Sequence, residues 1–273
     1  MSTLKTLLVH VDGTPQAAVR LRLAERLAAA HGATARALYS TTTALLRYPL
    51  ALSAGGDIAP ALAELDHQRR EAAHAQYRAS VDPARVAWHE GSGQPVADVV
   101  QAAYYADLLL LGQRPPGAAA EADVPGDFAA AVVLDSGRPA LVLPHVLLEP
   151  ALPRRVLVAW KPTRESARAV SAALPLLQQA DSVQVLAFDE GEGLREAEPI
   201  VGFLASHGIT ATLQRETALE HELGAQLLSR AADAQADLLV MGCYGHGRAR
   251  EWALGGVSRT VLQSMTLPVL LCH

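Results

Sequence analysis

The residues best suited to chemistry are three glycines near the end of the chain, Gly242, Gly245 and Gly255, which are spaced G-x2-G-x9-G. They follow the apolar run 238–241, which predicts a strand, and precede a helix predicted to begin near Val257. Glycine lets the backbone approach a ligand closely, and a helix N-terminus presents unpaired N–H groups to an anion. The loop is therefore suited to holding phosphate, although glycines also serve as simple turns.

Polar residues near this loop extend the candidate site. His246 either donates to a phosphate or caps the loop, and Arg248 either steers phosphates or lies in a solvated cluster of charges. Ser258 could supply a hydroxyl group from the first helical turn, and Lys161, after an earlier strand, could meet a phosphate. The predicted nucleotide-binding residues are Gly242, Gly245, His246, Gly247, Arg248, Gly255, Gly256, Val257, Ser258 and Lys161. No catalytic residue is predicted.

An internal repeat indicates how these residues are positioned. The segment 106–112 recurs as 236–242, and the segment after Arg138 is echoed from Leu267 onwards. The first copy carries about 19 extra residues, which we place within 41–60. Pro150 and Pro153 mark a linker, because proline lacks an N–H donor and resists helix continuation. We therefore expect two domains, 1–148 and 154–273, called here the first and the second copy.

Each copy alternates short apolar strands with amphipathic helices, which predicts a mainly parallel sheet covered on both faces. The expected fold is α/β, with two tandem, doubly wound, five-stranded sheets. In the second copy, strands are expected at 156–160, 183–188, 210–215, 238–241 and 269–272, and helices at 164–179, 196–207, 223–234 and 257–264.

The glycine spacing and the surrounding residues 242–258 resemble the universal stress protein family, in which G-x2-G-x9-G is the ATP loop. The run from Val11 to Thr14 resembles the family's first-strand turn, whose aspartate, here Asp12, contacts adenosine. The resemblance covers both copies. It implies an adenine nucleotide alpha hydrolase-like fold and a small cytoplasmic stress-response factor, often dimeric. Some family members bind ATP and others do not.

The two copies depart from the family pattern in complementary places. The first copy keeps Asp12 and Gly112 as a vestigial site, but Pro115 lacks the N–H that a phosphate cradle uses. The second copy keeps the glycine loop but has Lys161 in place of the aspartate, and Gly256 where the family usually has serine or threonine. We therefore expect at most one nucleotide site in each chain, in the second copy.

Composition and missing motifs exclude several other functions. Charged residues make up 19% of the chain and the net charge is −5, so neither nucleic acid nor an anionic membrane is an expected partner. The apolar runs are too short to span a bilayer, and no secretory leader is recognised. No G-x-G-x-x-G follows the first strand, which argues against a dinucleotide-binding dehydrogenase. No G-x-x-x-x-G-K-[ST], the motif of the usual Mg-ATP hydrolysis apparatus, is present, and the scattered histidines predict no metal site.

The two cysteines, Cys243 and Cys272, form no C-x-x-C pair, which indicates a reducing compartment, the cytoplasm. Cys243 is either a redox-sensitive thiol or a buried structural cysteine. Asp107 and Asp237, which precede apolar strands, are expected to accept hydrogen bonds from turn amides.

Three functions are compatible with these residues. The first is a non-catalytic stress-response factor that binds ATP, ADP or AMP and contacts an unknown protein partner. The second is an interaction scaffold that has lost nucleotide binding, and the third is a slow ATPase or adenylyl transferase. The copies are expected to form an intrachain pseudo-dimer through the strands 140–143 and 269–272, and whole chains could form homodimers.

Overall fold

A computed structural model describes residues 3–48, 58–115, 117, 123–189, 198–217, 222–243 and 256–273. The strands of the first copy are β1 (Thr6–Val11), β2 (Thr34–Tyr39), β3 (Val86–Glu90), β4 (Leu108–Gly112) and β5 (Ala140–Leu143). Its helices are α1 (Gln16–His31), α2 (Ala44–Arg47), α3 (Ala59–Ser80), α4 (Pro95–Ala103) and α5 (Phe128–Ser136).

The second copy repeats this alternation. Its strands are β6 (Arg155–Trp160), β7 (Ser182–Asp189), β8 (Ala211–Thr217), β9 (Leu238–Gly242) and β10 (Val269–Cys272). Its helices are α6 (Arg164–Leu177), α7 (Glu198–Ser206), α8 (Leu223–Asp233) and α9 (Gly256–Ser264). Every element predicted from the sequence of this copy is present, and the α/β fold class is confirmed.

All ten strands form one continuous sheet in the order β3-β2-β1-β4-β5-β10-β9-β6-β7-β8. Pairing is parallel within each copy, whereas β5 and β10 pair antiparallel, with Leu141 opposite Leu270. The repeat offset from Pro139 to Pro268 is 129 residues, so Leu141 and Leu270 are equivalent positions. A pseudo-twofold axis therefore passes through this pair, and the predicted pairing of the terminal strands is confirmed. Each copy covers what would otherwise be an exposed apolar edge of the other.

Helices cover both faces of the sheet. One apolar cluster joins the strands to α1, α3, α6 and α7, and the other joins them to α4, α5, α8 and α9. Successive strand residues such as Leu7 and Leu8 enter opposite clusters, as the alternation of side chains along a strand requires. None of the helices in the described part of the chain combines the length and the apolar character needed to cross a bilayer.

The strand order creates two crevices at the carboxyl edge of the sheet. In the first copy β1 lies between β2 and β4, so successive connections leave β1 in opposite directions. In the second copy β6 lies between β7 and β9 in the same way. Ligands of open parallel sheets bind at such switch points. The first crevice lies beyond β1 and β4, and the second crevice lies beyond β6 and β9.

At the opposite edge, two equivalent aspartates join the strands. Asp107 accepts hydrogen bonds from the backbone N–H groups of Lys5 and Thr6 at 2.8 and 2.9 Å. Asp237 accepts from the N–H groups of Arg154 and Arg155 at 2.9 and 2.8 Å. Both aspartates accept hydrogen bonds from backbone amides, as predicted, but these amides lie at the start of the first strand of each copy and not in the aspartates' own turns.

Candidate functional site

In the first crevice, Asp12, the aspartate that resembles the family's adenosine contact, forms a buried ion pair with Arg20. Asp12 directly follows β1, and Arg20 lies on the buried side of α1, only 1% exposed. A guanidinium nitrogen of Arg20 lies 2.8 Å from Asp12 Oδ1, and Arg20 Nε donates to the carbonyl of His10 at 2.9 Å. The N–H and hydroxyl of Thr14 also donate to Asp12. Burial opposes ionisation, but Arg20, His10 and Thr14 hold the pKa of Asp12 below its ordinary value.

Arg20 also explains Gly112 at the end of β4. A Cβ atom at Gly112 would collide with the Arg20 guanidinium. Gly112 therefore makes room for an internal cation in this structure.

A second carboxylate with internal partners, that of Asp123, lies in the same crevice. Its Oδ2 accepts a hydrogen bond from the backbone N–H of Gly13 at 2.7 Å. Its Oδ1 forms ion pairs with Arg47 of α2, at 3.2 Å, and with Arg69 of α3. The Asp123 carbonyl accepts from the N–H of Thr42 at 2.7 Å. The described part of the 41–60 insertion therefore covers the first crevice, while residues 49–57 lie outside the described residues.

A cavity of about 590 Å³ adjoins these groups. The first copy lines it with His10, Asp12, Arg20 and Phe128 among others, and α9 of the second copy contributes Arg259 and Gln263. The cavity is therefore built from both copies.

His10, at the base of this cavity, is a buried neutral imidazole. Its Nε2 lies 2.8 Å from the carbonyl oxygen of Ser40, and its ring lies 4.5 Å from that of Phe128. Burial lowers the pKa of His10 below 6.5, an effect that the nearby Asp12 only partly offsets.

Gln113, in the degenerate loop of the first copy, contacts the second copy. Its side-chain amide donates to the carbonyls of Leu262 and Gln263 at 2.9 and 3.2 Å, near the end of α9. Its Oε1 accepts from the backbone N–H of His145 at 3.0 Å. Gln113 therefore caps the end of a helix of the other copy.

In the second crevice, Lys161 follows β6 and is half-buried. Thr163 caps α6 by accepting a hydrogen bond from the N–H of Ser166 at 3.3 Å. A Cβ atom at Gly242 would lie 2.5 Å from Ser166 N and 2.6 Å from the carbonyl carbon of Glu165. Gly242 is therefore required by the close approach of α6 to β9, whatever else it binds.

The remaining predicted residues lie on or before α9. This helix begins at Gly256, which is exposed, followed by half-buried Val257 and buried Ser258. Five predicted binding residues lie outside the described residues: Gly245, His246, Gly247, Arg248 and Gly255.

Two buried groups complete the second crevice. Glu165 is 2% exposed and pairs with Arg164. Burial, followed by the proximity of Cys272 and of Glu165, raises the pKa of Cys243 well above that of an ordinary thiol. A redox-sensing cysteine needs a lowered pKa, so these surroundings favour the buried structural cysteine.

Sequence reasoning missed Arg20, Asp123, Gln113 and Glu165. Arg20 carried a usable signal, because it lies three residues after Ala17 and four before Ala24, on the apolar stripe of α1. Such a position predicts burial, and a buried arginine requires a partner. The contacts of Asp123 and Gln113 depend on tertiary structure and left no local pattern. Across the described residues, no three His, Cys, Asp or Glu side chains group closely enough to hold a metal ion.

Comparison with known structures agrees with this architecture. A universal stress protein from Archaeoglobus fulgidus DSM 4304 is similar over 98% of this chain and 95% of its own, with 18% identity and a TM-score of 0.74. A putative universal stress protein from Pseudomonas aeruginosa UCBPP-PA14 is similar over 98% and 93%, with 16% identity and a TM-score of 0.61. A functionally unknown protein from Pseudomonas aeruginosa PAO1 covers 98% and 92%, with 15% identity and a TM-score of 0.61. These likenesses establish the fold.

No curated protein matches the chain in sequence. The sequence model of the universal stress protein family, in contrast, matches two segments, residues 3–144 and 153–273. Together they contain all ten strands of the sheet. The chain therefore belongs to the universal stress protein family and contains two of its units in tandem.

Proposed function

We propose that this chain is a non-catalytic, cytoplasmic stress-response factor that binds ATP, ADP or AMP at one site, in the second copy. The domains are taken as 1–148 and 154–273, and the site as the glycine loop with Lys161. The observation that supports this assignment is a reversal of charge at the residue that directly follows the first strand of each copy. Asp12 and Arg20 in the first copy correspond to Lys161 and Ala169 in the second.

In the first crevice, the groups that would meet a nucleotide are already bound. Arg20 lies on Asp12, and the N–H of Gly13 donates to Asp123. An incoming triphosphate would therefore have to break these internal contacts before it could bind. The apparent affinity of this crevice for a nucleotide is therefore low.

In the second crevice, the equivalent position beyond the first strand of the copy carries a cation. Ala169 replaces the buried guanidinium, and Pro162 replaces Gly13. The nearby Glu165 pairs with Arg164. The N-terminus of α9, at Gly256, adds the positive end of a helix dipole on this edge of the sheet.

The same replacement weakens recognition of the nucleoside. A lysine ammonium has no acceptor for ribose hydroxyl groups, unlike the aspartate it replaces. Affinity then comes mainly from the phosphates. We expect ATP and ADP to bind more tightly than adenosine, and GTP to compete with ATP.

Calorimetric titration of the wild-type chain and Lys161→Ala with ATP, ADP, AMP, adenosine and GTP tests the proposal. A charge-assisted hydrogen bond contributes about 1.5–3 kcal/mol, so Lys161→Ala should weaken ATP binding roughly ten- to a hundredfold. Lys5→Ala is the matched control, because Lys5 is exposed next to β1 at the opposite edge. The wild-type chain should bind one nucleotide.

Each other outcome identifies an alternative. Two equal sites in each chain, or ATP affinity that survives Gly245→Pro, would contradict the assignment to the second copy. The absence of both titration heat and copurified nucleotide would support the interaction scaffold. Steady ADP production that is lost in Gly245→Pro would support the slow ATPase.

A further inference from the structure

The carboxylate of Asp123 is surrounded by donors in the first crevice in the way that a bound anion is surrounded in a binding site. Three donors from three separate elements converge on its carboxylate: the N–H of Gly13 after β1, Arg47 of α2 and Arg69 of α3. We propose that these donors form an anion-binding subsite, which the chain's own Asp123 occupies and thereby closes to phosphate-type anions. The proposal concerns the first crevice and does not depend on nucleotide binding in the second.

The geometry is that of oxyanion recognition. Gly13 contacts one carboxylate oxygen at 2.7 Å, while both arginines contact the other. Guanidinium and backbone N–H groups are the donors that proteins use for phosphate and carboxylate. The side chains of Arg47, Asp123 and Arg69 are only 10%, 16% and 17% exposed, so water screens these contacts little.

Other contacts hold these donors in place independently of Asp123. Arg69 also pairs with Asp66 at 3.2 Å, and both oxygens of Asp66 accept from the N–H of Ala44 at the start of α2. Asp66 therefore orients α2 and Arg69 together. Because α2 carries Arg47, removal of the Asp123 side chain leaves the donors close to their present positions.

The crevice has room for an external ligand once this side chain is removed. A Cβ atom at Gly13 would lie 2.8 Å from Asp123 Oδ2, so the carboxylate fills the space directly above the turn. The cavity of about 590 Å³ includes Asp123 and Arg47 in its lining. Truncation of Asp123 would join that cavity to the donors, with space for a tetrahedral oxyanion such as inorganic phosphate.

Competition within the chain sets the size of the effect. A tethered carboxylate acts at a high effective concentration, and a site that is open for a fraction of the time binds with its affinity reduced by that fraction. If the wild-type subsite is open for about one tenth of the time or less, removal of Asp123 should tighten phosphate binding at least tenfold.

The test compares phosphate binding by Asp123→Ala with that of the unmodified subsite. All proteins carry Lys161→Ala, so that the second crevice contributes weakly and equally, and inorganic phosphate is titrated by calorimetry. We expect Asp123→Ala to bind phosphate at least tenfold more tightly, and the gain to disappear on adding Arg69→Ala. Asp127→Ala is the matched control, because Asp127 lines the same cavity and, among the ion pairs of the described residues, it pairs with neither Arg47 nor Arg69. It should change the affinity less than about twofold.

A second variant covers a loss of stability. Asp123→Asn keeps an acceptor for Gly13 while removing the charge, so it should show a smaller gain in phosphate affinity with a melting temperature near that of the parent. The proposal is overturned if both folded variants bind phosphate no more tightly than the parent. It is also overturned if the gain survives Arg69→Ala.

Discussion

Replacement of Arg20 by methionine is the sharpest test of how the first crevice is built. The variant keeps an unbranched side chain in the buried stripe of α1 but removes the guanidinium that lies 2.8 Å from Asp12. The Asp12 residue, only 7% exposed, is then left buried at the end of β1 without its cation. It keeps two hydrogen bonds from Thr14.

Breaking a buried ion pair by removing one partner costs about 3–5 kcal/mol. Because Thr14 still donates two hydrogen bonds to Asp12, we expect a loss at the lower end of this range, about 3 kcal/mol at neutral pH. For a chain of this size each kcal/mol shifts the melting temperature by about 2–4 °C, so Arg20→Met should melt roughly 6–12 °C below the wild type.

The sign of the pH dependence provides an independent check. In the wild type the pKa of Asp12 is lowered, so the folded carboxylate contributes stability above its unfolded value of 3.8, and this contribution is lost as the pH falls through the folded pKa. Without Arg20, burial raises the pKa of Asp12, and protonation then relieves the penalty as the pH falls. The gap between Arg20→Met and the wild type should therefore narrow from pH 7 towards about pH 4.

Thermal unfolding followed by circular dichroism measures both effects. Arg78→Met on the exposed side of α3 is the control and should change stability by less than about 0.5 kcal/mol. The double variant Asp12→Asn with Arg20→Met has no buried charge and should regain most of the loss. A single variant within about 1 kcal/mol of wild type, or a double variant as unstable as the single one, would refute the reasoning.

Three further predictions concern other contacts. Gly242→Ala should destabilise the chain by about 1–3 kcal/mol in urea unfolding, because a Cβ would collide with the backbone of α6. Gly202→Ala on α7 has open space around it and should stabilise the chain by about 0.5–1 kcal/mol, so equal effects of the two variants would contradict this packing. Burial lowers the pKa values of His10 and His31, so the stability of the chain should fall as the pH drops below about 6.5. In melting curves between about pH 7 and 5, His10→Gln should reduce the dependence of the melting temperature on pH, and an unchanged dependence would contradict the burial of a neutral His10. Gln113→Leu should cost about 1–3 kcal/mol, measured in urea, because it removes two part-buried hydrogen bonds to the last carbonyls of α9. Stability equal to wild type would refute the cap.

The fold could be predicted almost completely from the sequence because its signals are local and repeated. Apolar runs such as 238–241 and the proline-bearing linker each fix one element, and the repeat requires both copies to have the same plan. The pairing of strands 140–143 and 269–272 was predicted correctly because an unpaired apolar edge is unfavourable and because the family resemblance suggests this pairing. Union of both halves into one continuous ten-stranded sheet follows from that single antiparallel contact.

The candidate site was less predictable because its contacts join distant parts of the chain. Gly13 and Asp123 are separated by 110 positions, and Gln113 and Gln263 by 150. Nothing in the local sequence of Asp123 indicates two arginines from α2 and α3. The motif comparison predicted that the first loop is unlike a phosphate cradle, but only the structure reveals that Gly13, Arg47 and Arg69 contact Asp123 in this crevice.

One helix connects the two crevices. The first turn of α9, at Gly256, belongs to the edge where a nucleotide is proposed to bind, and its last turn is held by Gln113 of the first copy. Between these ends, Arg259 faces the cavity of the first crevice. A helix of nine residues is about 13 Å long and moves largely as a rigid unit, so a shift at one end displaces the other. We therefore expect a ligand that repositions the start of α9 to change the contacts of Gln113, so that binding in the second copy would alter the first copy.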